Sequence, residues 1–498
     1  VGSVEIACEN HTVWECKGRM ARSSERSDMP SVSDKINEIG FGLYQVHVFV
    51  LCAGVVVAES GGLQTSAALA SAIMQEYKVK GDLAQEAQML STYMGFALGT
   101  ISSGFLGDYA GRRLPIFVAY LGMCCSVVGL YLMQTYASLC LGFCSFGFFG
   151  GLGIPAAFIA LAEVCPSKLR GVTNAAMAFA FCFGDVWCAL GFRILLPELV
   201  GKAWHGMLLW IGIPPFLLLA FGLISPVARL DTAHFLSARG QLESVKVLEL
   251  MASMNDSGRV DLSAMAPEHE EKPVSVSDAL QSLTSRENSL SVLALSVMFF
   301  VKDLAFYGMG AFLPLAWRKS SVLEGALPAT ELLCTALVGV PGVLVAMILI
   351  FSLPRRLAYA VAAGICAIGV YAVHGILDQQ ALFGVTGVVF YKLFYPTAQM
   401  ITFLFPAEVF STQIRVWSMS IIAFCGRMAP LAVPWIVHTS QHLFLFLTMG
   451  FFVLASLLVW SLPETKDTEL KTLSPVATNT RVKASGDGYG STAMAVAG

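Results

Sequence analysis

The sequence predicts an all-α membrane protein with twelve transmembrane helices in two six-helix halves. Three observations predict this fold class: the composition, the spacing of long apolar segments, and a motif that recurs in both halves. Of the 498 residues, 56% are hydrophobic and 13% are charged, whereas a soluble domain carries about 25% charged residues. So few charges cannot solvate the surface of a soluble protein of this size, and lipid is the expected solvent.

Twelve segments are long and apolar enough to span a bilayer, which requires roughly 20 mainly apolar residues. Six precede the midpoint, at 40–60, 86–107, 114–133, 137–162, 171–197 and 205–226. Six more follow, at 289–315, 331–353, 357–377, 381–405, 416–437 and 442–462. The chain therefore divides into an N-terminal segment, a first half, a central loop, a second half and a tail, at 1–38, 39–226, 227–288, 289–463 and 464–498.

The segments outside the two halves are polar. Within the central loop, residues 235–254 have helical apolar spacing, which predicts a helix lying against the bundle. The tail has the Ser, Gly and Ala content typical of disorder. Basic residues favour the loops on the same side as both termini, so we expect both termini in the cytosol. The sequence does not decide between the plasma membrane and an intracellular vesicle membrane.

Several classes of function find no support. The net charge of -3 gives no reason to expect a nucleic-acid partner. The 13 cysteines show neither a CxxC pair nor metal-ligand spacing, so no metal or cofactor is expected. The sequence contains no GxxxxGK[ST], GxSxG or HExxH motif, which argues against an enzyme or an ATP-driven pump. The expected partners are the lipid bilayer and a small-molecule solute, and the chain is expected to be monomeric.

A Glu-x₆-Arg motif closes the fourth span of each half. Residues 162–170 read AEVCPSKLR and residues 407–415 read AEVFSTQIR. The recurring charged residues are Glu163, Arg170, Glu408 and Arg415. An arginine pair recurs as well, as Arg112-Arg113 and Arg355-Arg356. Duplicated units of six spans are common in secondary carriers, which hold the solute between the halves near mid-membrane.

These residues resemble the major facilitator superfamily. GDYAGRR at 107–113 resembles the signature loop between its second and third spans, and PETK at 463–466 resembles its close after the last span. GFGLYQ at 40–45 and the ExxPxxxRG pattern at 163–171 resemble the organic-ion and synaptic-vesicle-protein-like branch, which is related to sugar porters. The resemblance implies a secondary-active carrier of a small organic solute, with H⁺ or Na⁺ as its coupling ion.

The chain departs from this pattern at three places. Phe143, Cys144 and Ser145 stand where the branch has an arginine early in the fourth span. The box after the sixth span reads LDTAHFL at 230–236, and the second signature loop has shrunk to SLPRR at 352–356. Two alternatives to an organic-ion carrier therefore stay open: a sugar carrier, and a carrier-like sensor or trafficking protein that does not transport.

Charged residues and glycines near the loops predict a gate on the cytosolic side. Alternating access requires halves that touch at one face and then part there, and charge-assisted bonds would hold that face closed. The predicted gate residues are Gly107, Asp108, Gly111, Arg112, Arg113, Glu163, Arg170, Arg355, Arg356, Glu408 and Arg415. Alternatively, the basic residues only anchor the loops in the cytosol.

Charged residues inside the spans predict the solute site, because each costs roughly 2.5–3.5 kcal/mol at mid-helix. The resemblance implies a cavity lined by spans one, four, seven and ten. Among the ionisable residues, this arrangement selects Glu59, Asp303 and Lys392, and Tyr44 and Gln45 are their expected neutral partners. Arg427 resembles the eleventh-span arginine of the organic-anion branch. Two buried cations in the second half favour an anionic or zwitterionic solute.

Some of these charges have purely structural alternatives. The predicted first span ends at residue 60, so Glu59 is expected near its outer end, where water could solvate it. Lys302 and Asp303 could form a local ion pair. Asp185 and Arg193 lie eight residues apart on one predicted helix and are expected to form an intrahelical network rather than a ligand site.

Overall fold

The computed structural model describes residues 30–79, 82–239, 243–258, 281–286, 288–319, 327–410 and 412–466. Within these ranges the chain is helical and contains no β-strand. The tail beyond residue 466 lies outside the described residues, so its disorder stays a prediction.

The described residues include twelve long helices in two sets of six. The first set is α2 (Leu43–Tyr77), α3 (Asp82–Ala110), α4 (Arg113–Leu132), α5 (Tyr136–Val164), α6 (Arg170–Leu195) and α7 (Trp204–Ile224). The second set is α10 (Ser289–Lys319), α11 (Pro328–Ser352), α12 (Arg355–Leu377), α13 (Ala381–Val409), α14 (Thr412–Thr439) and α15 (Gln441–Leu458). Of the described helices, eleven are long and apolar enough to cross a bilayer, and α3, with 29 residues, completes the set. The predicted twelve-helix fold is confirmed.

Short polar side chains begin several of these helices. The Thr135 hydroxyl accepts a hydrogen bond from the backbone N–H of Ser138 at the start of α5, and Ser440 accepts one from Leu443 at the start of α15, both at 3.2 Å. Such bonds satisfy N–H groups that lack a partner within the helix. Interior prolines, such as Pro314 of α10, are tolerated because neighbouring helices enclose the freed backbone groups.

The two halves repeat one packing order. In the first half α2 packs on α6 and α4 on α5; in the second half α10 packs on α14 and α12 on α13. The main contacts between the halves are α3 with α14 and α6 with α11, and α2 also meets α10. Exchanging the halves converts the α3–α14 contact into the α11–α6 contact, so the interface follows the same two-fold repeat. We call the face where α3 ends and α4 begins the Arg112 face.

Helix α2 is longer than predicted, with 35 residues. The prediction ended the span at residue 60 because polar residues follow it. In the structure these residues are buried against α6: the Ser60 hydroxyl donates to the Phe181 carbonyl at 3.3 Å, and the Thr65 hydroxyl lies 3.1 Å from the Cys188 sulfur. Glu59 is therefore mid-helix and 1% exposed, and the expectation of a solvated outer position was wrong.

Three short helices pack together with the start of α2 beside the Arg112 face: α1 (Val32–Ile39), α8 (Ala233–Ala238) and α9 (Glu243–Met254). The single helix predicted over 235–254 is thus two helices, and residues 240–242 lie outside the described residues. Asn255, just after α9, accepts from the Tyr44 N–H at 3.0 Å and donates to the Gly40 carbonyl at 3.1 Å. These bonds attach the central loop to the start of α2.

Candidate functional site

A chain of hydrogen bonds joins charged side chains of both halves at mid-depth. Arg427 Nη1 on α14 donates to Asp303 Oδ2 on α10 at 2.8 Å, and Lys302 Nζ donates to Asp303 Oδ1 at 2.5 Å. Tyr307, one turn after Asp303, donates its hydroxyl proton to Glu59 Oε1 of α2 at 2.9 Å. Arg427 Nη1 also lies 3.5 Å from the Tyr307 hydroxyl. We call these five residues the central network.

The central network is enclosed by protein. Its five residues are 1–3% exposed, and its two carboxylates balance its two cations, as burial of ionic groups requires. Aromatic rings cover both cations: the Arg427 guanidinium lies 4.1 Å from the centre of the Phe96 ring, and Lys302 Nζ lies 4.4 Å from that of Phe403. Glu59 Oε2 and Arg427 Nε have no hydrogen-bond partner among the described residues.

A second ion pair crosses between the halves. Lys392 Nζ of α13 lies 3.0 Å from Asp185 Oδ2 of α6. Their side chains are 15% and 10% exposed, so this pair is less enclosed than the central network. Asp185 Oδ1 is buried and has no hydrogen-bond partner in the described part of the chain. We call Asp185 and Lys392 the cavity pair.

Two adjoining cavities lie between the halves. The cavity pair, together with Gln64, Thr335 and several apolar side chains, lines a cavity of about 30 Å³, which we call the pair cavity. A cavity of about 90 Å³, which we call the vestibule, lies nearer the face opposite Arg112 and is lined in part by Arg318 and His438. Ala68 and Pro314 line both cavities. None of the five residues of the central network, all of them described, lines either cavity.

Three phenylalanine side chains pack together between these cavities and the Arg112 face. Phe158 of α5 stacks on Phe403 of α13 across the halves, with ring centres 4.9 Å apart, and Phe181 lies 6.2 Å from Phe403. Phe403 follows Lys392 by 11 residues in α13, about 16 Å towards the Arg112 face. We call these three side chains the aromatic plug.

The predicted solute-site residues fall into separate places. Glu59, Asp303 and Arg427 meet in the central network, and Lys392 belongs to the cavity pair. Tyr44 and Gln45 lie at the start of α2, about 21 Å along the helix from Glu59.

The Gln45 side chain fastens α2 to its surroundings at the Arg112 face. Its Nε2 donates to the carbonyls of Gly40 and Val164, each at 3.2 Å, and its Oε1 accepts from the Gly42 N–H at 3.0 Å. The structure therefore does not bring Tyr44 and Gln45 together with the other predicted site residues.

Sequence reasoning missed the partner of Lys392. It placed Asp185 in a network with Arg193, but Arg193 is exposed and Asp185 pairs with Lys392 across the halves. The one available signal was the presence of a carboxylate within an apolar span. The local pair between Lys302 and Asp303 is present, and it extends to Arg427.

At the Arg112 face, a first loop network ties together α4, α5 and the segment after α7. Arg112 Nε donates to Glu163 Oε1 at 3.2 Å. The backbone N–H groups of Arg112 and Arg113 donate to the Asp231 carboxylate at 3.0 and 3.3 Å. The Thr232 hydroxyl donates to the second oxygen of Glu163.

The second half contains an equivalent second loop network. Arg355 Nη2 lies 3.8 Å from Glu408 Oε1. The backbone N–H groups of Arg355 and Arg356 donate to the Glu464 carboxylate at 2.8 and 3.2 Å. The Thr465 hydroxyl donates to the second oxygen of Glu408.

The two networks reveal a correspondence between two chain segments. Asp231-Thr232 in the first half makes the same bonds as Glu464-Thr465 in the second. The box after the sixth span therefore keeps its acid and its hydroxyl. The second signature loop, which lacks an acid of its own, receives one from Glu464.

These loop-network bonds join residues within a half, so the predicted gate between the halves stays a prediction.

The remaining predicted gate residues lie at the ends of helices. Gly111 has φ +91°, and a Cβ there would lie within contact distance of the Asp231 carboxylate, so only glycine fits. The Gly107 carbonyl accepts a bond from Arg112 Nη1, and Arg170 is the first residue of α6. The side chains of Asp108 and Arg415 lie outside the described parts of the chain.

Comparison with known proteins identifies the family. A sequence model of the family described as "Sugar (and other) transporter" matches residues 57–477, which is more than half of the chain. The chain belongs to this family. It is therefore a transporter of the major facilitator superfamily, and the predictions of a carrier and not an enzyme are confirmed.

The relatives of the transporter cover most of its length. It is 22% identical to svop-1 of Caenorhabditis elegans over 460 residues, which are 88% of this chain and 85% of that protein. It is 27% identical over 307 residues to the 4-hydroxybenzoate transporter PcaK of Pseudomonas putida, covering 58% of this chain and 62% of that protein. The solved structure of the proton:xylose symporter XylE bound to 6-bromo-6-deoxy-D-glucose matches with a TM-score of 0.67 at 16% sequence identity. The match covers 86% of this chain and 98% of that chain, so the two proteins share a fold.

Proposed function

We propose that the transporter moves a small organic solute that carries a carboxylate, either an anion or a zwitterion, by alternating access of its two halves. The observation that carries the proposal is the Lys392 ammonium group at the wall of the pair cavity. Charge-assisted hydrogen bonds to a carboxylate are stronger in such partly enclosed surroundings than in water. A site between the halves at mid-depth is also where secondary carriers hold their solute.

The vestibule supports the same charge preference. Arg318 and His438 contribute its ionisable side chains, and its described lining residues include no carboxylate. A basic lining attracts anionic groups from solution and raises their local concentration. A solute carboxylate that enters from this side would pass Ala68 and Pro314 before it meets Lys392.

The small volumes of both cavities indicate that the two halves must move apart before an organic solute can bind between them. Cavities of about 30 and 90 Å³ hold a few water molecules, whereas sites for organic ligands span roughly 300–1,000 Å³. The aromatic plug lies between these cavities and the Arg112 face. The halves must therefore separate on one side before a solute can enter, as alternating access requires.

The lining of the pair cavity favours a carboxylate over a sugar. Besides the ion pair, its polar side chains include Gln64 and Thr335, and the Thr335 hydroxyl already donates to the Glu331 carbonyl at 2.8 Å. Met309 and Leu313 are among the apolar residues of the wall. A sugar needs several hydrogen-bond partners, whereas a carboxylate on an apolar body needs one cation. The name of the PcaK relative, a 4-hydroxybenzoate transporter, agrees with such a solute.

Uptake into proteoliposomes tests the proposal. We expect the purified full chain to accumulate or exchange labelled 4-hydroxybenzoate or leucine in preference to glucose. Lys392→Gln should reduce this uptake about tenfold or more, because one charge-assisted bond is lost. Lys168→Gln, at an exposed loop position, is the matched control and should transport normally.

Two outcomes would contradict the proposal in different ways. Uptake of glucose without any carboxylate-bearing probe would favour the sugar carrier. Uptake of none of these probes, with introduced cysteines accessible from one side only, would favour a carrier-like protein that does not transport.

For the coupling ion, H⁺ or Na⁺, we propose Glu59 as the responding group. Glu59 is the first-half member of the central network, and its Oε2 has no partner among the described residues. A pH gradient or a Na⁺ gradient should drive accumulation in the wild type. Glu59→Gln should abolish the gradient-driven accumulation while exchange continues. If neither gradient drives accumulation, this assignment is wrong.

We also propose that the transporter is monomeric and that the Arg112 face and both termini lie in the cytosol. Arg112 and Arg113 lie at the start of α4, and Arg355 and Arg356 at the start of α12, on this face. Their position agrees with the positive-inside rule. In intact cells, an impermeant thiol reagent should label Lys202→Cys at the opposite face and not Ser167→Cys. The reverse labelling pattern would contradict this orientation.

A further inference from the structure

The cavity pair raises a question that the proposed function leaves open, namely what balances Asp185 when a solute carboxylate binds Lys392. The two side chains lie 3.0 Å apart and neutralise each other. An anion that takes Lys392 leaves the Asp185 carboxylate without a counter-charge inside the protein. Likewise, a cation that binds Asp185 leaves the Lys392 ammonium group without a counter-charge. Unpaired buried charge is strongly disfavoured in both cases.

We infer that the solute is a zwitterion whose carboxylate binds Lys392 while its ammonium group binds Asp185. This inference rests on the proposed function and narrows its solute class. A zwitterion gives each member of the cavity pair a new partner of opposite charge, so the site stays neutral. Asp185 Oδ1, which is buried and without a partner among the described residues, offers the ammonium group a second acceptor.

Among the described residues that line the pair cavity, no third charge balances the cavity pair. Asp185 and Lys392 are the charged residues among those that line the pair cavity; Gln64 is neutral, and Cys188, Ala189 and Met309 are apolar or nearly so. The central network is itself neutral, 1–3% exposed, and separate from the cavity lining. The solute must therefore bring the balancing charge with it, and its apolar part would lie against the apolar wall.

The position of the pair also links binding to movement. Asp185 belongs to α6 in the first half and Lys392 to α13 in the second, so their contact is a direct tie between the halves. A zwitterion inserted between them replaces this short tie with a longer bridge. A ligand shifts an equilibrium by its differential affinity for the two states. The zwitterion therefore favours an arrangement in which α6 and α13 lie farther apart than in this structure.

Two matched probe series test the inference in proteoliposomes of the full chain. The short series is leucine, N-acetyl-leucine and leucine amide, which are a zwitterion, an anion and a cation. The long series is 4-(aminomethyl)benzoate, 4-methylbenzoate and 4-methylbenzylamine, with the same order of charges. We expect the wild type to take up the zwitterion of at least one series about tenfold better than its anion and its cation, since each analogue leaves one charge unpaired.

Variants of the cavity pair assign the preference to its residues. Asp185→Asn should reverse the preference towards the anion, because the remaining Lys392 then needs only a carboxylate. The double variant Asp185→Lys with Lys392→Asp keeps one charge of each sign and should restore the preference for the zwitterion. Asp378→Asn, at an exposed position, is the control and should behave as the wild type. If Asp185→Asn does not yield folded protein, the probe series in the wild type and in the double variant still test whether the solute is a zwitterion.

The outcomes separate the inference from the proposed function. Equal or better uptake of the anion by the wild type, with no change in preference in Asp185→Asn, overturns the inference and leaves the proposed function intact. Absence of uptake for every carboxylate-bearing probe overturns both.

Discussion

The loop networks at the Arg112 face and the charged residues at mid-depth use the same residue types, yet only the loop networks are duplicated. The first loop network consists of Arg112, Arg113, Glu163, Asp231 and Thr232, and the second of Arg355, Arg356, Glu408, Glu464 and Thr465. Their bonds follow the same order. They serve each half as a unit, since they fix the start of one helix to the end of another and to the segment after the last span of that half.

The mid-depth charges lack this repetition. Lys392 lies sixteen residues before Glu408, and the residue sixteen before Glu163 is Gly147. Arg427 lies twelve residues after the arginine of the second Glu-x₆-Arg motif, and the equivalent first-half residue is Cys182. Duplicated residues therefore describe how a half is built. The unduplicated Lys392 and Arg427 mark places where the two halves differ.

The largest expected effect of a single substitution is at Asp303, which neutralises two cations. Asp303→Asn leaves Arg427 and Lys302, both at most 3% exposed, without their carboxylate. Removing one partner of a buried ion pair costs about 3–5 kcal/mol. We expect a large fall in the melting temperature of the detergent-solubilised protein, or loss of the folded fraction in size-exclusion chromatography.

Asp378→Asn is the control for this substitution, because its side chain is exposed, and it should melt as the wild type does. Lys168→Gln tests the same point with a basic residue. A melting temperature of Asp303→Asn equal to that of the controls would mean that the central network does not stabilise the fold.

A smaller effect should distinguish the two loop networks. Glu163 accepts a hydrogen bond from Arg112 at 3.2 Å, whereas Arg355 lies 3.8 Å from Glu408, beyond hydrogen-bond distance. Glu163→Gln should therefore cost about 1.5 kcal/mol of unfolding free energy, and Glu408→Gln less than about 1 kcal/mol. In both variants the amide oxygen can still accept from the threonine hydroxyl.

Thermal unfolding of the two variants in parallel measures this difference. A larger loss for Glu408→Gln would show that the duplicated networks do not follow their geometry. Loss of transport with unchanged melting, in either variant, would instead support the predicted gate.

The sequence was sufficient for the fold because hydrophobic spans are read directly from composition. The sequence did not predict helix ends correctly where polar groups are buried against protein rather than lipid. Helix α2 was predicted too short because Ser60 and Thr65 resemble a loop until their partners on α6 are known. Tyr44 and Gln45 were assigned by span number, and a span number carries no information on depth.

The candidate site was predictable as a set of charges but not as a set of pairs. Asp185 and Lys392 are separated by 207 positions in the chain, and their pairing depends on how α6 meets α13. The sequence therefore identified Lys392 and Arg427 as buried cations but not their partners, whereas each has a carboxylate partner in the structure. Likewise, the equivalence of Asp231 and Glu464 became visible only through the bonds that they make.

The smallest expected effect concerns the acid of the second loop network. Burial alone would raise the pKa of Glu464, but the backbone N–H groups that donate to its carboxylate outweigh burial and hold its pKa below the ordinary value of 4.5; they belong to Lys466, Arg355, Arg356 and Thr465. Because the folded pKa is lower than the unfolded one, the stabilisation is fully present above the unfolded value. It is lost as the pH falls through the folded value.

Glu464→Gln should therefore reduce the free energy of unfolding at pH 7 by less than about 1 kcal/mol, because the group is partly exposed. The melting temperature should fall slightly. The substitution should also make the decline of the melting temperature between neutral and acidic pH less steep than in the wild type. Glu198→Gln, an exposed acid at the opposite face, should leave that decline unchanged. If Glu464→Gln and the wild type lose stability in parallel on acidification, the carboxylate of Glu464 does not cap the start of α12 in solution, and the second loop network lacks the acid that makes it equivalent to the first.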